Sequence, residues 1–163
     1  METEPGGVAS GVVWSPGTGQ AFSQGGLLLT NNSVRVPRSG LYFVYSQASF
    51  RVSCNHGDQM ATGATATATP LSHSVWRLSD SLGGKRVPLM GAVRSACGGG
   101  GAQEEGVAHG NGGHGGNGGA WFHAIYLGAV FQLNRGDLLQ TETNQLQELE
   151  TEEGRTFFGA FAL

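Results

Sequence analysis

Thr156-Phe157-Phe158-Gly159-Ala160-Phe161-Ala162-Leu163, the last eight residues of the sequence, carry no charge and a single polar side chain. A strand with one face on a core and the other in water alternates apolar with polar residues. This one does not. Phe157, Phe161 and Leu163 fall on one side and Phe158, Ala160 and Ala162 on the other, so both faces call for burial. A terminus frays unless it is tied down. A second sheet of the same domain can cover one face, and the other cover is expected from another copy of the chain.

Two further runs share the pattern. In Leu41-Tyr42-Phe43-Val44-Tyr45, residues 41, 43 and 45 line one side while 42 and 44 line the other. Ile125-Tyr126-Leu127-Gly128-Ala129-Val130-Phe131-Gln132-Leu133 is also apolar on both sides and ends at the turn Asn134-Arg135-Gly136-Asp137. These three strands are expected side by side in one sheet, with an outer aromatic patch of roughly several hundred Å², a size that marks an interaction surface. Elsewhere, short apolar runs are separated by Gly, Pro, Asn and Ser, and no segment sustains a 3.6-residue period, which predicts an all-β fold. Leu27-Leu28-Leu29 leads through a turn at residues 30–33 into Val34-Arg35-Val36, which stops at Pro37 because proline cannot donate to a ladder. Residues 71–78 and 87–93 form further strands around the turn Leu82-Gly83-Gly84. Residues 1–11 and the glycine tract at 98–119 hold too few apolar side chains to offset ordering entropy. They are expected to be a flexible tail and a flexible loop, with the folded domain spanning 12–163.

A chain of 163 residues suits one domain with a substantial core. The net charge of −3 and the scattered basic residues, with no run longer than Lys85-Arg86, argue against nucleic acid or an anionic membrane as partner. No stretch of apolar residues is long enough to span a membrane, and no signal-peptide core is present. A cytosolic protein and an excised part of a longer one both stay open. Cys54 and Cys97 could be free thiols, a metal pair or a disulfide; neither sits in a CxxC. If bridged, their loop would stabilise the fold by roughly 3–5 kcal/mol in the chain-entropy model. Asn31-Asn32-Ser33 is a glycosylation sequon, and together with the cysteines it leans towards an oxidising, extracellular setting.

Catalysis is not expected. The motifs GxSxG, HExxH and the P-loop are missing, and the 98–119 tract lacks the strand-then-helix context of a phosphate loop. His109, His114 and His123, with His56 near Cys54, are irregularly spaced and lack fixed supporting partners. Neither a metal site nor a cofactor is expected.

The words Leu29-Thr30-Asn31-Asn32-Ser33-Val34-Arg35-Val36-Pro37, Gly40-Leu41-Tyr42-Phe43-Val44-Tyr45-Ser46-Gln47, the 125–133 run leading to Gly136-Asp137, and the closing Phe157-Phe158-Gly159-Ala160-Phe161-Ala162-Leu163 occur in this order. In them the chain resembles the tumour necrosis factor ligand family over roughly residues 14 to 163. The resemblance implies a ten-strand jelly-roll sandwich that forms a threefold homotrimer. Phe43, Tyr45, Tyr126, Phe157 and Phe161 would line the trimer axis, with Leu163 beside them. It implies an extracellular cytokine that clusters cell-surface receptors of the tumour necrosis factor receptor superfamily in the grooves between subunits. The full-length form would be a single-pass type II membrane protein with a shed ectodomain, and neither nucleic acid nor a small-molecule substrate would be a partner. Receptor contacts carried over by position are Asp80, Ser81 and Leu82 in one turn, and Glu150 and Glu152 in the acidic loop. Cys54 and Cys97 fall where some members carry a disulfide, and Asn31 is the candidate glycosylation site. Two features depart from the family. Residues 15–20 lack the basic charges of a receptor-contacting turn, and Val12-Val13-Trp14 is the only apolar run where a first strand belongs. The alternative is a trimeric recognition module like the globular head of the complement C1q family.

Overall fold

A computed structural model describes residues 12–14, 21–23, 26–54, 69–97, 120–152 and 154–163. The expected tail at 1–11, the turn at 15–20, the glycine loop at 98–119, and His56, His109 and His114 lie outside the described residues. Among those described, nine strands run in chain order: β1 (Ala21–Ser23), β2 (Leu28–Thr30), β3 (Ser33–Arg35), β4 (Gly40–Ser53), β5 (Thr69–Ser79), β6 (Lys85–Ala96), β7 (Ala120–Leu133), β8 (Leu138–Thr143) and β9 (Phe157–Ala162). They build a four-stranded sheet in the order β1-β9-β4-β7 and a five-stranded sheet in the order β2-β3-β8-β5-β6. Every pairing is antiparallel except the short β1–β9 pair, which is parallel.

The three strands apolar on both sides are neighbours. β4 sits between β9 and β7, pairing Val44 with Ala160 on one side and Ala129 on the other. Alternation then decides what each face does. Tyr42, Val44, Ala48, Phe50, Ile125, Leu127, Phe158 and Ala160 are buried. From the second sheet Val34, Leu71, Val75 and Leu139 meet them in one core, as in a face-to-face sandwich. Ala162 departs from the expectation that it would join Phe158 and Ala160: it is exposed, because β9 has reached the end of its pairing with β4 there.

β8 went unread in the sequence. Its inward positions are Leu139, Thr141 and Thr143, so two of the three core-facing residues are threonines and the apolar alternation is faint. Burial of those hydroxyls is compensated by partners across the core. Trp14 Nε1 donates to Thr141 Oγ1 at 2.9 Å, and Thr143 Oγ1 lies 2.7 Å from His73 Nδ1.

Residues 12–14 form no strand, yet Trp14 is buried and packs against Phe158 with ring centroids 5.6 Å apart. Its backbone N–H donates to Asn32 Oδ1, and Asn32 Nδ2 donates to the Val12 carbonyl, both at 2.7 Å. Asn32 can hold this segment because Asn31 and Asn32 take φ of 47° and 60°, as a two-residue hairpin turn between β2 and β3 requires. Just beyond the ends of β4 and β6, Cys54 and Cys97 form a disulfide, with Cα atoms 5.4 Å apart across a sequence separation of 43. Closing that loop contributes about 4 kcal/mol in the chain-entropy account.

Candidate functional site

The outward face of the first sheet is built by the odd residues of β4 and β9 and the even residues of β7. Glycines let its aromatic rings lie flat. A Cβ on Gly159 would come within 2.5 Å of Tyr45 Cζ, and one on Gly128 within 3.1 Å of the Tyr126 ring. Phe43 stacks on Tyr45 at 6.0 Å, Phe161 lies 5.4 Å from Phe43, and Phe157 bridges Tyr45 at 6.1 Å and Tyr126 at 6.4 Å. Five aromatics from three strands thus form one continuous cluster. Leu163 stands at its end, where its N–H donates to the Leu41 carbonyl. Burial, and secondarily Tyr126, holds the Tyr45 hydroxyl above its ordinary pKa, so it stays neutral at every physiological pH.

This cluster is incompletely covered. Tyr126 is 55 % exposed, Leu163 68 % and Phe161 37 %; Leu41 and Val130 are each 50 % exposed beside them. Val130 pairs with Phe43 across β4 and β7. Its parity with Tyr126 on β7 puts it on the same face.

Towards the other end of β4 the face turns polar. Ser49, Phe122, His123, Ala124, Glu150 and Arg155, with Phe50, line a cleft of roughly 200 Å³. The acidic loop is fastened here: the Glu150 N–H donates to the Ser49 carbonyl at 2.8 Å, and Thr156 Oγ1 donates to the Glu150 carbonyl at 2.7 Å. Glu152 is exposed and meets Arg155 at 3.4 Å, an exposed pair of small energetic weight. Arg155 places a positive charge among the loop's carboxylates. Its backbone carbonyl also accepts from the Gln47 amide at 2.9 Å, a tertiary contact no local pattern announces.

Asp80–Leu82 forms a 3₁₀ turn between β5 and β6, closed by Gly83 at φ 72°. Leu82 is 42 % exposed, and Asp80 and Ser81 are exposed as well. The turn lies at the end of the sandwich where β4 begins. The acidic loop reaches β4 at Ser49, about nine residues further on, or roughly 30 Å of extended strand. At the third turn Asn31 is exposed, while Ser33, the last residue of its sequon, is buried.

His73 links the core to the aromatic face. It is fully buried and lies 2.8 Å from Ser46 Oγ, which donates its proton to the Phe157 carbonyl at 3.0 Å. With that proton committed, His73 Nε2–H donates to Ser46 and Nδ1 accepts from Thr143; the tautomer follows from the network. Burial lowers the His73 pKa to about 4.

The profile of the TNF(Tumour Necrosis Factor) family matches residues 12–163. The chain belongs to the tumour necrosis factor family. It is 57 % identical over 157 residues to tumor necrosis factor of Sparus aurata, covering 96 % of this chain and 57 % of that protein. It is 39 % identical over 150 residues to lymphotoxin-alpha of Marmota monax, covering 92 % and 62 % respectively. Lymphotoxin-alpha of Notamacropus eugenii is 38 % identical over 157 residues. The chain therefore spans about six tenths of the length of the first of these relatives. The family match decides against the complement-type head. No helix among the described residues is long and apolar enough to cross a membrane.

Proposed function

We propose that this domain is the receptor-binding part of an extracellular cytokine that works as a homotrimer. Three copies pack the outward aromatic face of the first sheet around a common axis. The observation that carries this reading is the cluster of Phe43, Tyr45, Tyr126, Phe157 and Phe161, held flat on a glycine-lined sheet and left half open by its own chain. A contiguous apolar patch of that kind marks an interaction surface, and a threefold ring covers it in every copy without leaving a sticky remainder.

In this reading each groove between neighbouring copies holds one receptor of the tumour necrosis factor receptor superfamily. Three grooves gather three receptors, and clustering is the signal for inflammatory, immune and cell-death responses. The protein acts as a ligand rather than a catalyst. Leu82, with Asp80 and Ser81, supplies a contact at one end of the groove, while Glu150 and Glu152 supply charge for basic receptor groups further along. Their separation along the strands suits an elongated partner. The full-length form is anchored as a type II membrane protein and sheds this domain. The test of function is a binding screen of the purified protein against receptor ectodomains of that superfamily; binding to none of them overturns the reading.

Glu150→Ala should weaken receptor binding about tenfold, as expected for losing a charge-assisted contact, with the assembly unchanged by sedimentation. Unaltered affinity would remove the acidic loop from the contact. Asn31, exposed on its hairpin turn, is proposed to carry an N-linked glycan when the protein is secreted. A glycosidase that fails to change the mass of the secreted protein would show the sequon unused.

A further inference from the structure

The turn that presents Leu82 should be loose. Asp80, Ser81, Leu82, Gly83 and Gly84 are all exposed, and Gly83 and Gly84 sit at φ 72° and 70°. A hairpin tip of small residues without a buried side chain is where chains open first. Yet this tip is tied sideways. Asn134 Nδ2, from the turn between β7 and β8, donates to Ser81 Oγ at 2.9 Å, and Ser81 Oγ lies 2.8 Å from Oγ of buried Ser79.

Asn134 is itself held. Its backbone N–H donates to Asp137 Oδ2 at 2.8 Å, and the same oxygen receives the Arg77 guanidinium at 2.7 Å. The Asp137 side chain is 2 % exposed and that of Arg77 15 %, so the pair is shielded from solvent and geometrically confined. Asp137 is fixed in turn by its own backbone, whose carbonyl accepts from the Val36 N–H at 2.9 Å. Arg77 lies on β5 just before the turn. The contacts therefore close a ring, from Arg77 through Asp137, Asn134 and Ser81 back to Ser79.

We propose that Asn134, backed by the Arg77–Asp137 pair, is a positioning residue for the receptor-contacting turn: it holds Ser81, and through it Leu82, at a fixed place at the end of the sandwich. This rests on the reading of Leu82 as a receptor contact. A rigid tip binds without first being ordered, so loosening it costs affinity even though no touching side chain has changed. Asn134 and Ser81 are the informative positions, because their mutual bond is exposed and lies outside the buried ion pair.

The test measures amide hydrogen exchange at Gly83 and Gly84, whose N–H groups donate to the carbonyls of Asp80 and Ser79. Asn134→Ala and Ser81→Ala should each speed exchange there by roughly fivefold to tenfold, the scale of one net hydrogen bond, with β4 and β7 protected as before. Ser81→Thr, which keeps the hydroxyl, should restore the parent rate, and the double alanine variant should exceed neither single one. Dissociation from the receptor ectodomain recovered in the screen should quicken by a similar factor in Asn134→Ala, which leaves every side chain of the turn itself in place. Unchanged exchange in Asn134→Ala overturns the proposal. So does faster exchange with unchanged dissociation, provided Leu82→Ala weakens binding. If Leu82→Ala also binds like the parent, the receptor reading of the turn falls and the positioning role falls with it.

Discussion

In the proposed homotrimer, Tyr126→Ala should shift the protein at micromolar concentration to a monomer and abolish the proposed signalling. Tyr126 is 55 % exposed in the single chain, and covering the remainder of such a side chain is worth roughly 2 kcal/mol. Threefold symmetry makes that roughly 6 kcal/mol per trimer, which moves the midpoint of a three-chain association by about two decades in concentration. Sedimentation across a concentration series reads the shift directly. Gly159→Ala tests the same face from the backbone side, because its Cβ would drive the Tyr45 ring off the sheet without removing an aromatic. A parent protein that sediments as a monomer at micromolar concentration sinks the trimer, and a Tyr126→Ala variant that assembles like the parent moves the interface elsewhere.

Acid should destabilise the fold through His73. Its pKa falls from 6.5 to about 4 on folding, through burial. Between those values the unfolded chain binds the proton and the folded chain does not, so stability is fully present above pH 6.5 and declines as the pH drops towards 4. The difference amounts to roughly 3 kcal/mol. Below the lower value the imidazolium is held inside, where Nδ1 would become a donor facing a hydroxyl that already donates to it. Ser46 carries the same network to the Phe157 carbonyl on β9, so the strand bearing the aromatic face should loosen with the core. Denaturant titrations from pH 7 to pH 4 would show a steep loss in the parent and a flatter curve in His73→Gln, whatever the variant's stability at pH 7. Parallel curves in the two proteins would rule His73 out as the titrating group. Protein concentration must be held constant, because the proposed assembly would itself contribute to apparent stability.

The aromatic face was legible because side-chain direction in a strand has a period of two and needs no knowledge of neighbours. Phe43 and Tyr45 on one strand, Tyr126 on another, and Phe157 and Phe161 on a third could be assigned to faces one strand at a time. Ala162 is the exception, since the end of pairing with β4, rather than parity, left it exposed. The turn at Leu82-Gly83-Gly84 was legible from its glycines, a local signal, whereas Leu82 and the acidic loop were singled out as contacts by the family resemblance. The pairing of Arg155 with Glu152 and the cleft it shares with His123 and Glu150 were not foreseen, because they depend on how the loop folds back on β4 and β7.

The sequence by itself determined the all-β class, the positions of the sharp turns and the faces of the three two-sided strands, since each follows from spacing within a few residues; the family followed instead from the order of matching words along the whole chain. The tertiary structure alone decided that β8 lies inside the second sheet, between β3 and β5. It also decided that His73 reaches Ser46 and Thr143, 27 and 70 residues away, and that Asp137 meets Arg77 across 60. Those polar residues have no hydrophobic period to reveal them. They lie in the interior because partners distant in the chain compensate their burial, and which partners meet is settled only when the two sheets close on each other.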